Sequence, residues 1–308
     1  MLRLILGRIA AGAATLLVAS ALIFTATQLL PGDLATATLG RDATPDAVKQ
    51  LRETLGLNRP AALRYVDWLQ GIAHLDLGKS AVNQVRVSST IAQPLRNSAL
   101  LVAVTLALLI PLSLLLGTAA ALRRGSFFDL GSQLVTVALV ALPEFVVGIV
   151  LVLAFAIAWP VLPAVTFQVN AKGLVLPVAT LLMLSLAYTA RMVRAGVIEV
   201  LSSEYVAMAR LKGMPERSVI RHHVLPNAIG PSLHAFALTA AWLAGGVVIV
   251  EYLFAYPGIG RLLIDAVTSR DVPMVEAVSL ILAAVYVIGN LIADIATILL
   301  TPRLRTRQ

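Results

Sequence analysis

A chain of 308 residues that is 59% hydrophobic and only 13% charged cannot coat a soluble fold of this size with a polar shell, since soluble domains are nearer half apolar and about a quarter charged. Its mean hydropathy of +0.89 points to lipid as the solvent. The net charge of +8 forms no dense basic run apart from Arg303, Arg305 and Arg307, which excludes a nucleic-acid surface and fits a membrane protein with lysine and arginine gathered on one side. The absence of cysteine excludes disulfides and thiolate chemistry.

A helix needs about 20 apolar residues to cross a bilayer, with every backbone group satisfied internally. Six stretches meet or approach that length, at 9–30, 97–122, 130–158, 174–190, 227–250 and 277–300. The first is too long for the apolar core of a cleaved signal peptide, about 7–15 residues, so it reads as an uncleaved span despite Ala35-Thr36-Ala37. The segment 31–96 then carries two amphipathic stretches, 45–55 (opened by Thr44-Pro45-Asp46) and 61–72, expected as short helices over the outer mouth. The fourth stretch is short and extends into Arg191, whose stem can snorkel to the interface. Pro111, Pro143 and Pro177 lie inside spans and predict kinks. No repeat or low-complexity linker divides the chain, so residues 1–308 read as one domain.

Basic residues beside the short loops set the orientation. Arg3, Arg8, Arg123, Arg124, Arg191, Arg194, Arg210, Lys212, Arg217, Arg221 and the three tail arginines fall on one face, whereas Lys172, Arg261 and Arg270 occupy the other. Six spans therefore put both termini in the cytoplasm.

Catalytic signals are poor. Gly78-Lys79-Ser80 ends like a phosphate-binding loop, but Ala73 stands where its first glycine belongs. His74, His222, His223 and His234 form no metal-ligating pattern; His222 and His223 diverge on a helix, and His234 reads as packed among small residues of a span. Ionisable residues in spans are costly and merit a functional hypothesis. Glu144 follows Pro143, and Asn290 and Asp294 share a helical face; Glu251 closes the fifth stretch as an interfacial residue. An ion relay through Glu144 and Asp294 would make the chain a secondary transporter, although the paired repeats common in that class are missing. The alternative is that Asn290 and Asp294 pair with a neighbouring helix.

The segment 199–226 carries the strongest signal. Glu204, Tyr205, Ala207 and Ala209 lie in a helix that runs to Arg210 and Lys212 and stops at Gly213, which suits a left-handed helix end. After Met214, Pro215 opens a second helix bearing Arg217 and Arg221. Ala207 and Ala209 leave room for a partner, and the basic residues make the surface positive.

This loop resembles the signature of ATP-binding-cassette importer permeases, Glu-Ala-Ala, three residues, Gly, nine residues, Ile, one residue, Leu-Pro. Gly213 and Leu225-Pro226 stand in register, while Ala207, Met208 and His223 replace the Glu, the first Ala and the Ile. Segments Arg64–Leu69, Leu75–Ser80, Glu251–Gly260, Arg270–Pro273 and Asn290–Asp294 follow in the order of the dipeptide, oligopeptide and nickel branch; Thr301-Pro302-Arg303 stands where Asp-Pro-Arg is common. The resemblance implies an all-α membrane protein with the type I importer permease fold, six transmembrane helices and an extracytoplasmic insertion at about 31–96, in a bacterial inner membrane. It implies a non-catalytic subunit for di- or oligopeptide import, with nickel, glutathione or oligosaccharide as alternative cargo. The implied partners are a second homologous permease in a heterodimer, two ATPase subunits that hold ATP and magnesium, and an extracytoplasmic binding protein. The ATPase-coupling residues it implies are Glu204, Tyr205, Ala207, Ala209, Arg210, Lys212, Gly213, Met214 and Arg217, and no cofactor is expected on this chain.

Overall fold

The computed structural model describes residues 2–29, 44–54 and 58–300, and it is almost entirely helical there. Among the described residues four helices are long and apolar enough to cross a membrane, or up to six spans result if each of two bent pairs counts as one. The long elements are α1 (Leu2–Gln28), α4 (Val87–Leu122), α7 (Ala171–Leu201) and α12 (Val272–Leu300). Between α1 and α4 lie α2 (Pro45–Thr54) and α3 (Ala61–Ala73), the two amphipathic helices expected. The decoy cleavage site and the arginine tail lie outside the described residues.

The stretch expected to form the third span is not one straight helix. It divides into α5 (Phe127–Val140) and α6 (Glu144–Val152), the latter continued by a π turn over Leu153–Ala158. The two arms meet at 103°. Pro143 has no N–H to continue the ladder and holds extended backbone before α6. Pro111 and Pro177, by contrast, sit inside helices that continue through them. The last long element, α10 (Leu225–Leu253), bends by 50° between Leu243 and Gly245.

The packing joins helices distant in sequence. α4 runs along α7, α10 lies against both α7 and α12, and α1 lies on α12. Leu101 from α4, Leu176 and Leu181 from α7, and Leu243 and Val247 from α10 form one shared core. Leu22, Leu115 and Leu134 remain largely exposed, as lipid-facing side chains do. α3 rests on α1 through an aromatic cluster, with the Tyr65 ring 5.3 Å and the Trp68 ring 6.0 Å from that of Phe24. Thr27 of α1 donates to buried Glu276 of α12 at 2.7 Å.

Polar ties organise one end of the bundle. Glu251 was expected at an interface, yet it is fully buried. One of its carboxyl oxygens accepts from the Ser98 hydroxyl, and the other accepts from the Gly260 N–H at 2.7 Å. Gly260 lies in the first turn of α11 (Ile259–Thr268), so the carboxyl caps that helix from the end of the preceding one. Ser98 in turn accepts from the Ile259 N–H at 2.8 Å. Tyr256 donates to the Asn97 carbonyl at 2.8 Å, and burial pushes its phenol up to about 12, keeping it a donor. Nearby, Asp271 accepts from the Ser80 hydroxyl and from the Ala81 N–H at 3.0 Å. The apparent phosphate loop at Gly78-Lys79-Ser80 therefore belongs to a hairpin tied to a carboxylate.

Glu251→Ala leaves the Ser98 hydroxyl only its longer bond to the Pro94 carbonyl at 3.2 Å, strands the first-turn N–H groups of α11, and should destabilise the fold by about 2–4 kcal/mol. Glu251→Gln, which retains an acceptor, should cost less. Thermal unfolding in detergent checks this; equal midpoints for wild type and the alanine variant would contradict the capping role.

Candidate functional site

The segment singled out in the sequence folds as α8 (Glu204–Leu211), a tight turn, and α9 (Glu216–Val219), continued by a π turn over Ile220–Val224 into α10. The turn forms a Schellman motif. Gly213 has φ +76°, its N–H donates to the Arg210 carbonyl at 2.9 Å, and the Met214 N–H donates to the Ala209 carbonyl at 3.3 Å. No neighbouring atom lies within 4 Å of where a Cβ on Gly213 would stand, so backbone conformation rather than space requires glycine. Pro215 is extended before α9, and its carbonyl accepts from the N–H groups of Ser218 and Val219 at 2.8 and 3.1 Å.

Side chains divide into two faces. Val206, Ala209 and Val219 are buried in a cluster with Val193 and Val197 of α7 and Ala228 and Phe236 of α10, and Met214 packs on its edge. The free face carries Glu204, Tyr205, Ala207, Met208, Arg210, Leu211, Lys212 and Arg217. Ala209 was expected to leave room for a partner; it is instead packed inward at 5% exposure, since it lies three residues beyond buried Val206 on the same helical face. Leu211, not singled out in the sequence, is 82% exposed. A leucine one residue before a basic helix end reads as core by type, and only the helical phase set by Val206 and Ala209 turns it outward.

Arg210 and Glu216 close the two helices with a bidentate pair at 2.6 and 3.1 Å. The Arg210 guanidinium holds the Glu216 carboxyl below its ordinary value of 4.5. Two cations counted toward the basic face are also paired. Arg194 meets buried Asp129 at 2.6 and 2.7 Å, and Arg8 meets Asp294 at 2.9 Å. Asp129 was missed in the sequence, although Ser126 three residues earlier, whose hydroxyl accepts from the Asp129 N–H at 3.3 Å, is a capping signal.

The polar residues expected inside spans separate. Asp294 ties α12 to α1, as the helix-pairing alternative required, whereas Asn290 donates to the Tyr286 carbonyl of its own helix at 2.9 Å. Glu144 lies at the start of α6, against Gly246 of α10. His222 is exposed, with Nδ1 3.1 Å from the Ser218 carbonyl. His234 is exposed rather than packed. Among the described residues no three His, Asp or Glu side chains gather as metal ligands.

Long apolar helices joined by a structured polar loop define a multi-pass membrane protein. The family model of the binding-protein-dependent transport system inner membrane component matches residues 113–306, and that of its N-terminal region matches residues 1–96. A putative peptide transport system permease protein of Brucella abortus is 35% identical over 99% of both chains. A probable peptide ABC transporter permease protein of Sinorhizobium fredii is 34% identical over 98% of both. The glutathione transport system permease protein of Escherichia coli is 30% identical over 99% of both. The chain belongs to the binding-protein-dependent transport system inner membrane component family, the permease subunits of ABC importers.

Because the folded-state pKa of Glu216 is depressed, the Arg210 pair contributes stability that is full above the ordinary value of 4.5 and is lost as pH falls through the lowered one. Arg210→Ala should return the Glu216 titration toward 4.5, measurable by carbon NMR of labelled glutamate. An unchanged titration would contradict the pairing.

Proposed function

We propose that this chain is the membrane permease subunit of an ATP-driven, binding-protein-dependent importer of di- or oligopeptides. The observation that carries the cargo class is the end-to-end likeness, at 34–35% identity, to permeases described as belonging to peptide transport systems. The glutathione permease likeness, at 30%, supports glutathione, itself a small peptide, as the second reading.

On this proposal residues 1–308 form one permease domain with six spans, each bent pair counting as one, and the segment 31–96 is an outer insertion. Both termini face the cytoplasm. The clustering of Arg123, Arg194 and the α8–α9 loop around the same end of α7 supports that orientation, since Ala121, Val193 and Val206 share one core. A second, homologous permease completes the path, two separate ATPase subunits bind and hydrolyse ATP with magnesium, and an extracytoplasmic binding protein delivers cargo.

The α8–α9 loop is the proposed ATPase contact. Its free face offers Tyr205, Ala207, Met208 and Leu211 for shape and Glu204, Arg210, Lys212 and Arg217 for charge. Ala209, Gly213 and Met214 act from behind, by holding that face in one form. Motion of the ATPases then reaches the spans because the inner face of the loop is packed on α7 and α10.

The test uses the assembled transporter in proteoliposomes. Gly213→Val forces a β-branched residue into the left-handed region, at a cost of about 1–2 kcal/mol, or about tenfold in population. Peptide uptake per ATP hydrolysed should fall by about that factor, with cargo affinity of the binding protein unchanged. Unaltered coupling in that variant would contradict the assignment of the loop; absence of ATP-dependent peptide uptake by the wild type would contradict the function itself.

A further inference from the structure

Away from the loop, a groove of about 520 Å³ opens beside the α5–α6 break, lined by Glu144, Ser185, Tyr188, Thr239, Trp242 and Tyr286 among others. Its volume falls in the range of small-molecule sites, about 300–1,000 Å³. Ser185 is the fifteenth of 31 residues counted from the start of α7. Thr239 is the fifteenth of 29 in α10, and Tyr286 is the fifteenth of 29 in α12. At 1.5 Å per residue each lies about 20 Å from either helix end, so the groove sits at the middle of the bundle. Interrupted backbone at such depth is tolerated where it lines a polar cavity, and broken helices are a common way of holding a solute at mid-membrane.

The groove concentrates unmet hydrogen-bonding capacity. Five buried side-chain polar atoms among the described residues lack a partner, and three of them line this one space: Glu144 Oε2, Ser185 Oγ and Thr239 Oγ1. Ser185 is only 2% exposed and Thr239 only 4%. Leaving a buried polar atom unmet is costly, so three in one groove form a site wanting donors. The lining includes no Lys, Arg or His. Tyr188, Trp242 and Tyr286 border it and are half-exposed, and the faces of such rings attract cations. Gly246 makes room for the carboxylate, since a Cβ there would stand 2.9 Å from Glu144 Oε1.

We propose that this groove receives the α-ammonium group of the peptide cargo in transit, an inference that rests on the peptide reading above. An ammonium brings three N–H donors and one positive charge. The groove offers three unpaired oxygens, one of them on a carboxylate, and a border of aromatic rings. Glu144 takes the charge-assisted bond, and Ser185 and Thr239 accept the other two. Recognition of the terminal amine alone accepts peptides without regard to sequence.

The experiment measures equilibrium binding of radiolabelled tri-alanine to the assembled transporter in nanodiscs without the binding protein, in competition with unlabelled tri-alanine or its N-acetyl derivative. The free-amine peptide should compete at least about tenfold better. Glu144→Gln should abolish that preference, Gly246→Ala should weaken it by displacing the carboxylate, and Glu144→Asp should retain part of it. Equal competition by the two peptides, a preference untouched in Glu144→Gln, or no saturable binding to the wild type would overturn the proposal. Loss of the second permease from the purified Glu144→Gln complex would also overturn it, by making Glu144 an inter-subunit ion-pair partner. Uptake of the same tripeptide by the complete wild-type transporter, run in parallel, reports separately on the peptide reading.

Discussion

In a bilayer every backbone N–H and C=O must find its partner within the protein, and this chain is organised around the places where its helices cannot supply one. Where α10 ends and α11 begins, Glu251 supplies the missing acceptors from inside the core and ties Ser98 of α4 to the same point. At the hairpin around Ser80, Asp271 does the same. These carboxyls are structural, and each has its hydrogen-bond demand met. The break at Pro143 differs: it leaves Glu144 Oε2 unmatched beside a groove. That contrast separates acids that hold the bundle from the one with capacity to bind.

The same helices connect the two proposed sites. α7 contributes Val193 and Val197 to the cluster under the loop, and Ser185 and Tyr188 to the groove. α10 contributes Ala228 and Phe236 to the cluster, and Thr239 and Trp242 to the groove. A displacement of α8 cannot be absorbed by a soft interface, because Val206 and Val219 are fully buried and close-packed interiors transmit strain. On the proposed function, loop movement therefore reaches the groove through α7 and α10, and the 50° bend in α10 lies at the groove, between Trp242 and Gly246. The route is the shared packing of α7 and α10, which both sites use.

Much of the fold was legible because lipid imposes a simple code. Long apolar runs become helices, and the runs at 97–122 and 227–250 appear within α4 and α10. Gly213 and Pro215 announced their turn through backbone restrictions that act locally. What was not legible depended on distant partners or on helical phase. Glu251 looked interfacial because its position at a helix end is visible in sequence while Ser98 and Gly260 closing over it are not. Pro143 announced a kink, but 103° needed the geometry of both arms. Ala209 lost its expected role because small size was read as openness, and Leu211 passed unnoticed because nothing in its type marks an apolar residue as exposed. Ser185 and Thr239 are ordinary span residues in sequence, and only their convergence with Glu144 gives them interest.

The chain contains no cysteine, so a single introduced thiol reports on one position of this chain. Leu211→Cys, on the exposed end of α8, should react readily with a membrane-impermeant maleimide in vesicles exposing the cytoplasmic face, and should be shielded when the two ATPase subunits are bound. Labelling that is equally fast with and without the ATPases would contradict the assignment of this loop as the point where ATP-driven motion enters the membrane.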